Sequence, residues 1–351
     1  MGFKQFRHEG CYSYCVFDGE TREGVLIDPR ADLMEEYRIL ISDQKLKLLA
    51  VIDTRLHSHH LSGSHLAAQE FHSNIAMSRR SVSERSQRAL QPGERIRAGA
   101  LDLRVIETPG VSEDAICLVE GKRMIFTGDT LSAGACSPVC APEDHWKSLR
   151  ESFDEISDET LIFPGHDLGA HLFSTFGVEQ KKNPELSSAS FERYLNARVG
   201  DVVRVDGSAK DRIRYNSQIR PLESNESHFG RSIPLPVAPV GAFGGLQTFA
   251  SLSVHKLAAK WLKQKSRNRS LGLIDVREQV EFEAGSIAGA RNIPLSEIAF
   301  HLEELKNFSK IYLICQTGRR SWFAATTLDY LGLPGVTHIS GGMQAWQHAG
   351  Y

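Results

Sequence analysis

In the first half of the chain, strand after strand ends on a polar loop residue: Asp53-Thr54, Thr108-Pro109-Gly110, Gly128-Asp129 and Pro164-Gly165-His166. The runs leading into these ends (YSYCVFD, GVLIDP, LLAVIDT, DLRVIET, AICLVE, RMIFTGD, TLIFPG) are short and apolar, and they alternate with helical patterns such as RADLMEEYRILISDQK and PEDHWKSLRESFDEI. Such a chain gathers several loops at one rim of a sheet sandwich, where open α/β sheets usually hold their chemistry.

After about Leu195 the periodicity fades, and Ser232 to Gly245 (SIPLPVAPVGAFGG) reads as a connector wrapping the first domain. Beyond Gln247 a second α/β unit is expected. Its order is a helix over FASLSVHKLAAKWLKQK, a strand at LGLIDVR, a helix around LSEIAFHLEEL, a strand at KIYLICQ, a helix over SWFAATTLDYLG and a short strand near THIS. This alternation predicts a small, mainly parallel sheet with helices on both faces. The expected division is therefore residues 1–195, a connector over 196–246, and 247–351.

A net charge of -2 creates no large one-sign field, so neither nucleic acid nor an anionic membrane is expected as a partner. The basic cluster from His255 to Arg269 reads as a solvated helix face. No apolar run approaches the ~20 residues needed to span a bilayer, and the start lacks a secretion signal, so the expected location is the cytoplasm. Cys11/Cys15 and Cys136/Cys140 are each spaced C-x3-C, without the compact spacing of a zinc knuckle, and read as small buried residues.

The sharpest chemical signal is LICQTGRRS, Leu313 to Ser321. Cys315 follows an apolar strand, and Gly318 turns the chain into a helix. In that geometry successive backbone N–H groups point at one centre, backed by the positive end of the helix dipole. Arg319 and Arg320 add fixed positive charge. All of these favour the thiolate, the nucleophilic form of a cysteine.

Together with LIDVRE (Leu273 to Glu278), GSIAGARNIP (Gly285 to Pro294) and GGMQAW (Gly341 to Trp346), this loop resembles the rhodanese family from about Ser253 to Tyr351. The resemblance implies that Cys315 takes a sulfane sulfur from thiosulfate or a persulfide and passes it to a thiol. Arg319 and Arg320 would act with Cys315, while Gln316, Thr317, Gly318 and Ser321 would hold the sulfur group. Phosphatases of similar fold use Cys-x5-Arg. Here Cys315 to Arg320 is Cys-x4-Arg, a shorter loop that favours sulfur transfer over phosphate chemistry.

In the first half, Thr54-Arg55-Leu56-His57-Ser58-His59-His60, TPGVSED (Thr108 to Asp114), FTGDTL (Phe126 to Leu131), FPGHD (Phe163 to Asp167) and KKNPEL (Lys181 to Leu186) resemble the metallo-β-lactamase fold over residues 3 to 195, closest to its glyoxalase II and persulfide dioxygenase branch. Members usually carry Thr-His-x-His-x-Asp-His in the first loop and a histidine after Thr-Pro-Gly. This chain has Arg55 for the first histidine, His59 for the aspartate and Val111 at the later position. Of the three iron ligands the resemblance implies, Asp129 alone remains. Ser137-Pro138-Val139-Cys140 stands where the dioxygenases have Gly-Arg-Thr-Asp.

The fold expected is thus an αββα sandwich followed by a rhodanese-like α/β domain, and the function expected is sulfurtransfer through Cys315. No cofactor is expected. The reading is a metal-free N-terminal pocket in which Arg55 pairs with Asp129 and the histidines hydrogen-bond locally, since an unpaired buried charge is costly. A zinc or iron site at His59, His60, Asp129 and His166, with His57 nearby, stays as the weaker alternative, with dioxygenase or thioester hydrolase activity attached. A non-catalytic persulfide sensor is the third. The expected partners are a small sulfur donor, a thiol acceptor and a second copy of the chain in a homodimer.

Overall fold

The computed structural model describes residues 1–168, 171–198, 207–218, 250–264 and 270–351. Two compact units emerge, one of residues 1–169 with 174–237, the other of residues 238–351 with 170–173. The connector stretch Ser232 to Gly245 lies outside the described residues.

The first unit holds two six-stranded sheets. One runs β1 (Gly2–His8), β2 (Cys11–Phe17), β3 (Glu23–Ile27), β4 (Lys47–Ile52), β5 (Asn74–Ser78), β6 (Arg88–Leu90) in spatial order. The other runs β12 (Ser174–Thr175), β11 (Leu161–Pro164), β10 (Met124–Gly128), β9 (Ile116–Glu120), β8 (Leu101–Glu107), β7 (Arg95–Ala98). Phe3 and Tyr14 of the first sheet meet Phe126 and Phe163 of the second, with Phe3–Phe163 and Tyr14–Phe126 ring centroids 4.7 and 5.1 Å apart.

On the outer face of the first sheet, α1 (Met34–Gln44) and α2 (Ser64–Glu70) bury Tyr37, Ile41, Ala67 and Ala68 against Cys15, Leu26 and Val51. On the outer face of the second, α3 (Pro142–Lys147), α4 (Phe176–Lys182), α5 (Pro184–Ser187) and α6 (Phe191–Ala197) enclose Ile125, Phe153, Ile162 and Tyr194. This is the expected four-layer αββα sandwich. It explains why CYSYCVF is buried at every position: β2 is covered on both faces. A further helix, α7 (Gly207–Ser217), closes the described part of this unit.

Strand direction builds the rim. β3 and β4 are parallel, as are β10 and β11, so Asp28, Asp53, Asp129 and His166 all follow strand ends on one side. β2 runs antiparallel to β3, which brings its first residue, Cys11, to the same rim. There it bridges His166, with Tyr12 N–H donating to the Gly165 carbonyl at 2.8 Å and Asp167 N–H to that of Gly10 at 2.9 Å.

The second unit is a parallel sheet in the order β13 (Ala250–Ser253), β17 (Val336–Ser340), β16 (Lys310–Ile314), β14 (Leu271–Asp275), β15 (Arg291–Asn292). Its helices are α8 (Val254–Gln264), α9 (Gln279–Glu283), α10 (Leu302–Leu305), α11 (Arg319–Tyr330) and α12 (Gly342–His348). The expected helix over FASLS is corrected: Ala250–Ser253 is an edge strand paired with Thr337–Ser340, and the helix starts only at Val254. The helix expected around LSEIAFHLEEL divides into a 3-10 turn, Ile298–His301, and the single turn of α10. In the basic cluster, α8 buries Leu257, Ala258 and Trp261 and exposes Lys256 and Lys260.

Candidate functional site

β16 delivers Cys315 to the start of a tight loop, and Gly318, at φ 99°, turns that loop into α11. The N–H groups of Gly318 and Ser321 donate to Cys315 Sγ at 3.2 and 3.4 Å. Cys315 itself is 1% exposed, Gln316 is half-buried and Thr317 and Arg319 are exposed. A cage of neighbours fixes the loop. Ser321 Oγ lies 3.1 Å from the Gly318 carbonyl and 3.0 Å from His338 Nδ1. The first turn of α12 holds the loop from below, Met343 N–H donating to the Cys315 carbonyl at 2.8 Å and Gln344 N–H to that of Gln316 at 3.0 Å.

Two charged groups complete the wall. Arg320 makes a two-pronged pair with Glu281 at 2.6 and 2.7 Å, which holds the Glu281 carboxyl below its usual pKa. Arg277 is buried on Asp275 and reaches Gln316 Oε1 at 3.4 Å. Glu281, Arg277, His338 and Gly342 were not singled out from the sequence. LIDVRE holds Arg277 and GGMQAW holds Gly342, but only as family motifs.

In the first unit the histidine loop after β4 is distributed among several partners. Asp28 accepts from Thr54 N–H at 2.7 Å and Thr54 Oγ1 at 2.8 Å, and sits 3.0 Å from His57 Nε2. Burial opposes a charge on His57, but Asp28 raises its pKa. Arg55 Nε donates to Asp129 Oδ2, both side chains being buried. The other Asp129 oxygen, Oδ1, stands 2.5 Å from His166 Nδ1. Burial disfavours the Asp129 carboxylate, yet Arg55 and His166 hold its pKa well below the usual range. His59 is half-buried, and burial followed by the charge of Arg55 lowers its pKa to about 3.

His60 departs from the expected local bonding. Both of its ring nitrogens are buried without a hydrogen-bond partner, although its carbonyl accepts from Asn216 Nδ2 of α7 at 3.0 Å. The alternative metal group is not assembled as the sequence offered it. Among the described residues, His59, His60, Asp129 and His166 do not form a common ligand cluster. The buried clusters are Cys11 with His60 and His166, and Asp28 with Asp53 and His57. Cys11, Cys15 and Cys136 are buried, as expected, whereas Cys140 departs from that reading, being exposed.

Residues 258–349 match the family model of the rhodanese-like domain. This C-terminal segment is a rhodanese-like domain. Over 95 residues, 27% of this chain, it is 38% identical to a putative sulfur carrier protein, YrkF, of Bacillus subtilis, and spans 51% of that protein. The N-terminal region is homologous to persulfide dioxygenase ETHE1. It is 29% identical over 181 residues to the human mitochondrial protein, covering 50% of this chain and 71% of that one. Two solved structures share the fold. ETHE1 from Myxococcus xanthus aligns over 61% of this chain and 100% of its own, with a TM-score of 0.57 at 24% identity. A metallo-β-lactamase from Staphylococcus aureus aligns over 97% of this chain and 98% of its own, with a TM-score of 0.57 at 21% identity.

The iron site that this resemblance implies does not fit the residues present. A ferrous ion in such enzymes needs about three protein ligands with positions left open. Here Val111 is apolar and 4% exposed, and a guanidinium rather than an imidazole reaches Asp129 from position 55. Both carboxylate oxygens are engaged, one by Arg55 and one by His166. No step in the chemistry of this chain is therefore assigned to iron.

Proposed function

We propose that the protein is a sulfurtransferase working through Cys315. The cradle of Gly318 and Ser321 amides aimed at Sγ carries this reading. The Cys315 thiolate attacks the outer sulfur of thiosulfate or of a low-molecular-weight persulfide. The donor's S–S bond breaks, and sulfite or a thiolate leaves with the electron pair. The extra sulfur stays on Cys315 as a persulfide whose negative end the loop amides, Arg320 and the helix dipole stabilise. An acceptor thiolate then attacks that outer sulfur, and Cys315 returns as thiolate. Gln316 and Thr317 border the sulfur on the open side. The cytoplasm is the proposed setting; among the described residues no helix is long and apolar enough to cross a membrane.

Mass spectrometry of the Cys315 peptide tests the proposal. After thiosulfate, the peptide should gain the mass of one sulfur and lose it on adding a small thiol. A persulfide that forms but resists every thiol would point to a sensor instead, and no gain at Cys315 would refute both.

A further inference from the structure

Cys11, His60 and His166 come from three separate segments, the first residue of β2, the loop after β4 and the loop after β11, yet their ligating atoms all lie within 4.8 Å of one another. Their exposures are 2, 3 and 1%. Packing alone gives little reason for the arrangement, because the two ring nitrogens of His60 are sealed from solvent with nothing to bond. A buried polar group without a partner costs free energy that native folds rarely leave uncompensated. An ion bound at one ring nitrogen would remove much of that cost.

We propose that the N-terminal domain binds a single zinc-class ion through Cys11 Sγ and one imidazole nitrogen each of His60 and His166. One sulfur and two nitrogens suit zinc, whereas the carboxylate that joins two histidines in a ferrous site is replaced here by a thiolate. The cluster is held in place before any ion arrives. Cys11 and His166 are locked by the bridge between their strands, and the His60 backbone by Asn216. Asp129 faces His166 Nδ1 at 2.5 Å, the carboxylate–imidazole pairing that orients a metal-binding histidine and leaves Nε2 for the ion. The guanidinium charges near the site are also answered, Arg30 by Asp32 at 2.8 Å and Arg55 by Asp129. This departs from the metal-free pocket expected from the sequence. Of the alternative ligands, His59 has no part in the site, and Asp129 becomes a positioning residue.

The test uses the full chain, untagged, stripped with a chelator and reloaded with zinc or with cobalt(II). About one zinc per chain is expected, falling at least ten-fold in Cys11→Ser and in His60→Gln. The cobalt form should show a thiolate-to-metal charge-transfer band that persists in Cys315→Ser and disappears in Cys11→Ser, with circular dichroism confirming that the variants are folded. The inference is overturned if the folded wild type takes up no stoichiometric zinc, or if zinc uptake and the band survive in Cys11→Ser. Either result leaves the Cys315 chemistry untouched, since sulfur transfer is read separately.

Discussion

Arg55 and Asp129 form an ion pair with side chains only 7% and 1% exposed, at the rim of the first unit's sandwich. The permanent cation neutralises a buried carboxylate whose other oxygen faces His166. Removing it should be expensive. Arg55→Leu is expected to destabilise the first unit by about 3–5 kcal/mol, the cost of breaking a buried pair from one side. Urea unfolding measures this, and a loss under ~1 kcal/mol would show that His166 alone satisfies Asp129.

Gly342 controls the cysteine loop without touching the sulfur. Its φ is 60°, and a Cβ there would lie 2.2 Å from the Cys315 carbonyl oxygen and 2.7 Å from the Gln316 carbonyl carbon. These are backbone atoms of the cradle, so Gly342→Ala must displace it. Misplacement of reacting groups by an ångström can cost on the order of 10²-fold. A fall of that size in persulfide loading, with the fold retained by circular dichroism, is the expected outcome. Near wild-type loading would mean that the loop tolerates the shift.

His145 gives the stability of the first unit a pH dependence. Its Nδ1 lies 2.8 Å from the Tyr194 hydroxyl and its Nε2 2.8 Å from the Thr130 carbonyl, and burial lowers its pKa to about 4. The neutral ring then donates from Nε2 and accepts at Nδ1. Its ordinary value of 6.5 applies in the unfolded chain, so the folded pKa is the lower of the two. The stability this ring contributes is therefore complete above about pH 6.5 and is lost as pH falls toward about 4. The stability gap between wild type and His145→Gln should narrow by on the order of 3 kcal/mol across that window. A gap independent of pH would contradict the assignment.

How much of this was legible in the sequence depends on whether the partners are neighbours along the chain. The CQTGRRS loop is contiguous, so its strand, glycine turn and helix could be read directly. Arg55 could be matched to Asp129 because a cation standing in a ligand's position beside a carboxylate leaves few alternatives. Cys11 could not be matched to His60 and His166. It lies in a run that reads correctly as a buried strand, and only the antiparallel entry of β2 brings its first residue beside the end of β11. Glu281 was hidden for the same reason, since the short α9 presents it to Arg320 across the sheet top. FASLS failed differently. Four residues at a sheet edge carry too little periodicity to separate a strand from the helix that follows.

Sulfur is expected to pass through Cys315. Steady-state transfer from thiosulfate to a thiol acceptor, measured for wild type, Cys315→Ser and Cys11→Ser, tests it most directly. Transfer should vanish in Cys315→Ser and persist in Cys11→Ser. Turnover in Cys315→Ser equal to that of the wild type would place the chemistry elsewhere in the chain.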